Sequence, residues 1–140
     1  MQVIKIRGHF SSDKNEIGDT KPKKLEFLVD CKAKKKLRAT AEHLIRGDDI
    51  DPRDIKIPIR NNYISLTVPA VVPCYKIIEH PSYPKGIKKA SSFKELLGYE
   101  VTIRMEVKRY SFKSKHENNR GDVVVGVRCI IVEMYGRNIE

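Results

Sequence analysis

Arg104, Lys108, Tyr110 and Phe112 stand at even spacing, so an extended chain sets two cations and two aromatic rings on one side. In the stretch YEVTIRMEVKRYSF the odd positions Tyr99, Val101, Ile103, Met105 and Val107 are apolar, and the even positions Glu100, Thr102, Arg104, Glu106 and Lys108 are polar. That period of two is the pattern of a strand with one buried and one wet face. Tyr110 and Phe112 prolong the wet face. Cations beside exposed rings suit a ligand that is both flat and anionic, because the rings stack while the cations neutralise charge. Arg109 and Lys113 follow in the same run, and the loop KSKHENNRGD adds Lys115 and Arg120. A second cluster of the same kind, Tyr83 with Lys85, Lys88 and Lys89, lies in PSYPKGIKK, which reads as a loop.

Other chemistries find less support. Glu106 and Lys108 form the E-x-K spacing of metal-dependent nucleases, in which two carboxylates hold the metal and a lysine assists the attacking water. The second carboxylate must come from a neighbouring strand, yet no aspartate occurs between Ile55 and Gly98, and Glu79 stands alone at a strand end. A salt-bridged wet face explains the pair at less cost. The acidic run Asp48, Asp49, Asp51 and Asp54 surrounds Pro52 and reads as a solvated turn rather than a cation site. Cys31, Cys74 and Cys129 are far apart, odd in number and in apolar surroundings, and are expected to be free buried thiols of a reducing compartment. His9, His43, His80 and His116 are scattered, so no metal or other cofactor is expected. Phosphate loops, dinucleotide fingerprints, HExxH and GxSxG are missing, and the chain is not expected to be an enzyme.

The return run GDVVVGVRCIIVEM is apolar on both faces except at Arg128 and Glu133, which reads as a more central strand pairing with the first. Upstream, QVIKIRGHF alternates Ile4, Ile6 and Phe10 with Lys5, Arg7 and His9, a strand with a basic outer side. Ser11 to Lys24 is a long polar connection ending in KPKK. KLEFLVDC puts Leu25, Phe27, Val29 and Cys31 on one face. Residues 32–46 then bring Ala33, Leu37, Ala41, Leu44 and Ile45 to helical spacing, with Gly47 placed as a cap. The outer face of that helix carries Lys32, Lys34, Lys35, Lys36 and Arg38, equally readable as phosphate contacts or as a solvated face.

Ile55, Ile57 and Ile59 before Asn61 and Asn62, then YISLTV, predict a hairpin or bent strand. Pro58, Pro69 and Pro73 push such strands to edges or bulges. VPCYKIIEH predicts another short strand. In SSFKELLG, Ser92 and Glu95 form a capping box and Gly98 the exit of a short helix.

Length and charge bound the function. At 140 residues the chain builds one core, so residues 1–140 form a single domain. A net charge of +10 favours a polyanionic partner. The longest uncharged run is interrupted by Pro69 and Pro73 and is too short to span a bilayer, so no membrane partner is expected and the chain reads as soluble and cytoplasmic.

The predicted fold class is mostly β with two helices. Bent strands, a short helix at Ser91 to Gly98 and a long final hairpin follow the order of an OB-fold barrel, with the amphipathic helix near residues 32–46 as an addition. Over residues 57–135, GYEVTIRMEVKRYSFKSKHENNRGDVVVGVRCIIVEM and the preceding NNYISLTVPAVVPCYKI resemble phage-type single-stranded DNA-binding proteins. The shared pattern is a Gly-entered strand, a Tyr near its end, a polar turn and a Gly-Val strand, preceded by a middle strand and a Pro-Val turn.

The resemblance implies sequence-tolerant binding of single-stranded DNA in replication or recombination of a phage or mobile element. Self-association and contacts with replication or recombination proteins go with it. The chain ends at YGRNIE without the acidic tail of that family, which puts tail-mediated recruitment in doubt. Two alternatives stay open: an OB-like protein that binds RNA, and a small inhibitor that binds a host protein or nucleoprotein defence complex.

Overall fold

The computed structural model describes residues 2–11, 23–46, 54–80, 83–90, 93–113 and 123–137, with the backbone alone at 78–80 and 83–88. The described elements are β1 (Gln2–Phe10), β2 (Lys24–Leu28), α1 (Cys31–Leu44), β3 (Ile59–Arg60), β4 (Tyr63–Thr67), β5 (Cys74–His80), β6 (Tyr83–Ala90), a 3-10 helix (Phe93–Leu96), β7 (Glu100–Lys113) and β8 (Val123–Arg137). The strands hydrogen-bond in the order β3-β4-β2-β1-β7-β8-β5-β6, and a further β4–β8 pairing closes β4, β2, β1, β7 and β8 into a ring of five. All neighbours in that ring are antiparallel except β4 and β8, which run parallel. The molecule is mostly β, as the alternating patterns predict, and five of its strands form a ring.

The alternation in β7 has the consequence expected of it. Val101, Ile103, Met105 and Val107 are fully buried, together with Ile6 and Phe10 of β1, Leu25 and Phe27 of β2, Ile64 and Leu66 of β4, and Cys129, Ile131 and Met134 of β8. The face of α1 made by Ala33, Leu37 and Ala41 joins this same core. Thr40, the buried polar residue of that face, donates its hydroxyl to the Lys36 carbonyl at 2.9 Å. The helix therefore lies on the buried side of β1 and β7 and leaves their outer faces uncovered. Asp30 starts it, its carboxylate accepting from the Ala33 amide at 2.9 Å.

Four expectations are corrected. First, PSYPKGIKK is not a loop: Tyr83–Ala90 form β6, antiparallel to β5 with Tyr75 opposite Lys89 and Lys76 opposite Lys88. Pro84 and Gly86 mask the strand in the sequence, but Pro is tolerated on a strand that lacks a second neighbour. Second, among the described residues there is a single α-helix, since SSFKELLG is a 3-10 helix at Phe93–Leu96. It docks by Leu96, which occupies the space a Cβ at Gly136 would need, and Gly98 leaves it at a φ of 82°. Third, α1 spans Cys31–Leu44 rather than 32–46, Ile45 capping it and Gly47 lying outside the described residues, as does Ser92 of the expected capping box. Fourth, Cys31 is exposed, because α1 begins there and ends the inward alternation of β2, whereas Cys74 and Cys129 are buried. Asn61 and Asn62 do make the tight turn between β3 and β4, with Asn61 at a φ of 55°.

Candidate nucleic-acid interface

Where β7 and β8 run past the ring they continue as a two-stranded ribbon. Among the described residues Gln2 of β1 pairs with Val107, and beyond it Lys108 to Lys113 pair with Arg128 to Val123. On the other edge of β8, Lys56 accepts from the Val127 amide and donates to the Val125 carbonyl, holding the ribbon's base. On one face of this ribbon the Tyr110 and Phe112 rings lie parallel, 6.0 Å apart with an interplanar angle of 6°. Phe112 is 54% exposed. The Arg128 guanidinium stands 5.4 Å from the centre of the Tyr110 ring.

The pairing explains this arrangement. Gly126 is opposite Tyr110, and a Cβ there would sit 2.6 Å from the phenol oxygen and 2.5 Å from the Lys56 carbonyl oxygen. Only a residue without a side chain lets the Tyr110 ring lie across β8. With the ring held there, Arg128 two pairs further along has a π-face to cover.

Toward the ring of strands the same outer face carries Lys108 and Arg104 of β7, and cross-strand pairing adds Lys5 opposite Arg104 and Arg7 opposite Thr102. All four cations are exposed. Two have carboxylate neighbours: the Arg104 guanidinium donates to Glu133 at 3.1 Å, and the Lys108 ammonium is 3.8 Å from Glu106. Exposed pairs of this kind contribute about 0–1 kcal/mol, so a phosphate competes readily with either carboxylate. Val3 of β1, itself 46% exposed, and Ile130 of β8 stand opposite Glu106. The carboxylate that β8 places on this face, Glu133, stands opposite Arg104 and accepts from its guanidinium.

Not every expected residue belongs to this face. Arg109 and Lys113 are exposed, but the two-residue period of β7 aims them to the side opposite Lys108, Tyr110 and Phe112. Lys115 and Arg120 lie outside the described residues, as do Asp48, Asp49 and Asp51 of the acidic turn. Tyr83, Lys85, Lys88 and Lys89 belong to β6, joined through β5 to the far end of β8 and so separated along the sheet from the ribbon. Lys89 is exposed. The basic side of α1 is partly committed to the fold: the Lys34 ammonium donates to the Asn62 side-chain oxygen and that of Lys36 to the Lys5 carbonyl, each at 2.9 Å.

Three features escape a reading by type and spacing. Arg128 interrupts an apolar run, a visible signal, but its partner Tyr110 is 18 positions away and appears only through the hairpin register. Tyr75 and Tyr135 stack at 5.1 Å and 21°, brought together by the parallel pairing of β5 with β8. An open groove of about 510 Å³ runs between Lys24, Glu26, Tyr63 and Ser65 on one side and the segment Ile57–Asn61 on the other. Its walls come from β2, β3 and β4, which local patterns do not align.

Burial pushes the Cys129 thiol up to about 12, and burial together with the Glu95 carboxylate pushes Cys74 up to about 11, so both stay protonated and unreactive at neutral pH. Among the described residues no group of three His, Cys, Asp or Glu side chains could hold a metal ion, and no helix is long and apolar enough to cross a membrane. Comparison of the chain with protein-family models, with curated proteins and with solved structures finds no match.

Proposed function

We propose that this chain binds single-stranded DNA with little sequence preference through the outer face of the β7–β8 hairpin. The observation that carries the reading is the parallel Tyr110–Phe112 pair, Phe112 exposed and Tyr110 half-buried with Arg128 over it, on the same face as Lys108 and Arg104. Rings offer a surface on which any base stacks, and cations at this spacing neutralise the phosphates between bases. Arg109 and Lys113 on the reverse of the ribbon serve a strand that wraps its edge.

An OB-like barrel is the fold reading that goes with this function. It is supported by the ring order β1-β2-β4-β8-β7 with one parallel closure, and by the 3-10 helix between the third and fourth ring strands. In barrels of that class the second and third strands form a ligand face. Here those are β2 and β4, whose outer sides line the groove at Lys24 and Tyr63. The resemblance to phage-type single-stranded DNA-binding proteins extends the proposal to replication or recombination of a mobile element.

The deciding experiment is a fluorescence titration at fixed salt with single-stranded DNA, duplex DNA and RNA. Single-stranded DNA is expected to bind most tightly, and Tyr110→Ala and Phe112→Ala each to weaken it about 5- to 150-fold, corresponding to about 1–3 kcal/mol per stacked base. Tight binding that ignores both substitutions overturns the ribbon as the site. In a salt series the slope of log K against log salt should fall in magnitude by about 0.7 for each phosphate-contacting cation removed, Lys108 and Arg128 first. Nuclease-resistant capture of a single host protein, with no nucleic-acid binding, would instead identify an inhibitor.

A further inference from the structure

We infer that the nucleic-acid surface has a second stacking platform, the Tyr75–Tyr135 pair, and that one single strand runs between it and the Tyr110–Phe112 pair along the outside of β7 and β8. The inference rests on the proposed binding of single-stranded DNA and adds where the strand leaves the hairpin and how much of it is covered.

Register places both platforms on one continuous face. Tyr110 pairs with Gly126 and Lys108 with Arg128; further along, Arg104 pairs with Glu133 and Thr102 with Tyr135. Cross-strand partners share a face, so the Tyr135 ring lies on the same outer side as Arg104. Tyr75, paired with Tyr135 across the parallel junction, stacks on it at 5.1 Å, and Lys89 on β6 stands opposite Tyr75. From Tyr110 to Thr102 is eight residues of strand, about 26 Å at ~3.3 Å per residue. Between the platforms lie Lys108, Arg128, Arg104 and, beside it on β1, Lys5.

Of the two acidic residues within this stretch, Glu106 is 3.8 Å from the Lys108 ammonium and Glu133 is engaged twice over. Its carboxylate accepts from the Arg104 guanidinium at 3.1 Å and from the Tyr135 hydroxyl at 3.2 Å. It acts as a positioning residue that holds the cation beside the second platform and fixes the orientation of the Tyr135 ring. A track of about 26 Å takes on the order of eight nucleotides at the ~3.4 Å rise of a stacked strand, or about four when the strand is stretched to twice that. Both lie within or at the low end of the site sizes of about 4 to 16 nucleotides typical of small β-barrel binders.

The test is a titration of oligo-dT of about four, eight and twelve nucleotides against the full chain and its Tyr75→Ala and Tyr75→Phe variants. Affinity is expected to rise from four to eight nucleotides. Tyr75→Ala should remove that rise, weakening the longer oligonucleotides about 5- to 150-fold while leaving the shortest unchanged, and Tyr75→Phe should behave as wild type. Photo-crosslinking of the unaltered chain to iodouracil-substituted oligonucleotide reads the same contact without a substitution and decides the matter if Tyr75→Ala does not fold. Adducts are expected at Tyr75 or Tyr135 as well as at Tyr110 or Phe112. Adducts confined to Tyr110 and Phe112, or a Tyr75→Ala variant with wild-type affinity at every length, overturn the second platform and leave the first standing. No binding by the wild-type chain at any length overturns both.

Discussion

The two aromatic pairs differ in what holds them. Tyr110 and Phe112 are two positions apart on one strand, on a ribbon outside the ring, and their parallel stacking needs no more than strand geometry and the absence of a side chain at Gly126. Tyr75 and Tyr135 are sixty positions apart, half-buried, and meet because β5 joins β8 in parallel. The first pair is supported locally, with Phe112 in solvent and Tyr110 half-buried across Gly126. The second is part of how the β5–β6 hairpin is attached to the ring. Removing the exposed Phe112 ring should therefore report on ligand, whereas removing one from the junction should report on ligand and on stability together.

The largest expected effect breaks the first pair. The double variant Tyr110→Ala with Phe112→Ala should lose about 2–6 kcal/mol of single-strand affinity, two stacked bases at about 1–3 kcal/mol each, against a loss of about 1 kcal/mol in stability from the half-buried Tyr110. A melt that shifts as much as the affinity would show that these rings are structural, and the contrast between the pairs would fail. Next, Gly126→Ala disturbs the same pair without altering either ring. The new methyl group meets the Lys56 carbonyl oxygen at 2.5 Å, and overpacking of this kind costs about 1–3 kcal/mol of stability. Calorimetry and the ring-current shifts of Tyr110 would register it together.

At the junction, Tyr135→Ala is expected to cost about 1–2 kcal/mol of folding stability, from half-buried area and the stack, against less than about 0.5 kcal/mol for Phe112→Ala. Equal melts for the two would erase the distinction.

The smallest effect is a titration. The Tyr135 phenol is raised above its usual value by its burial, then by the Glu133 carboxylate and the hydrogen bond it donates there, with Tyr75 adding and Arg104 opposing. Because the neutral phenol is favoured in the folded state, its contribution to stability is complete below the ordinary tyrosine value of about 10 and is lost as pH rises through the folded value. Glu133→Gln keeps an acceptor but removes the charge, so the ultraviolet titration of this phenol should move down. An unmoved midpoint would mean that Glu133 does not orient the second pair. Cys74 and Cys129, raised to about 11 and about 12, act in the same direction: their contribution is whole below about 9 and fades as pH climbs toward those values.

Residue types and spacing determined the local features of this protein. The inward row Val101, Ile103, Met105 and Val107, the apolar stripe of α1 and the exposed cations with Tyr110 and Phe112 follow from periods of two and 3.6, and the Asn61–Asn62 turn from asparagine's tolerance of positive φ, all of which a single segment carries by itself. Where one segment could not speak for another, local reading failed. It took β6 for a loop because Pro84 and Gly86 look like turn residues when the pairing with β5 is unknown. It put Cys31 inside because it ran the β2 alternation past the start of α1.

Only the tertiary structure decided which strands are neighbours, and so which residues share a surface. Lys5 beside Arg104, Arg128 over Tyr110 and Tyr75 on Tyr135 are products of hydrogen-bond register between segments distant in the chain. Register is set by the joint burial of all five ring strands, since a slip of one residue would turn each inward row toward water. That collective condition is written in no single stretch of the sequence, and it is what extends an exposed hairpin into a continuous face with an aromatic pair at each end.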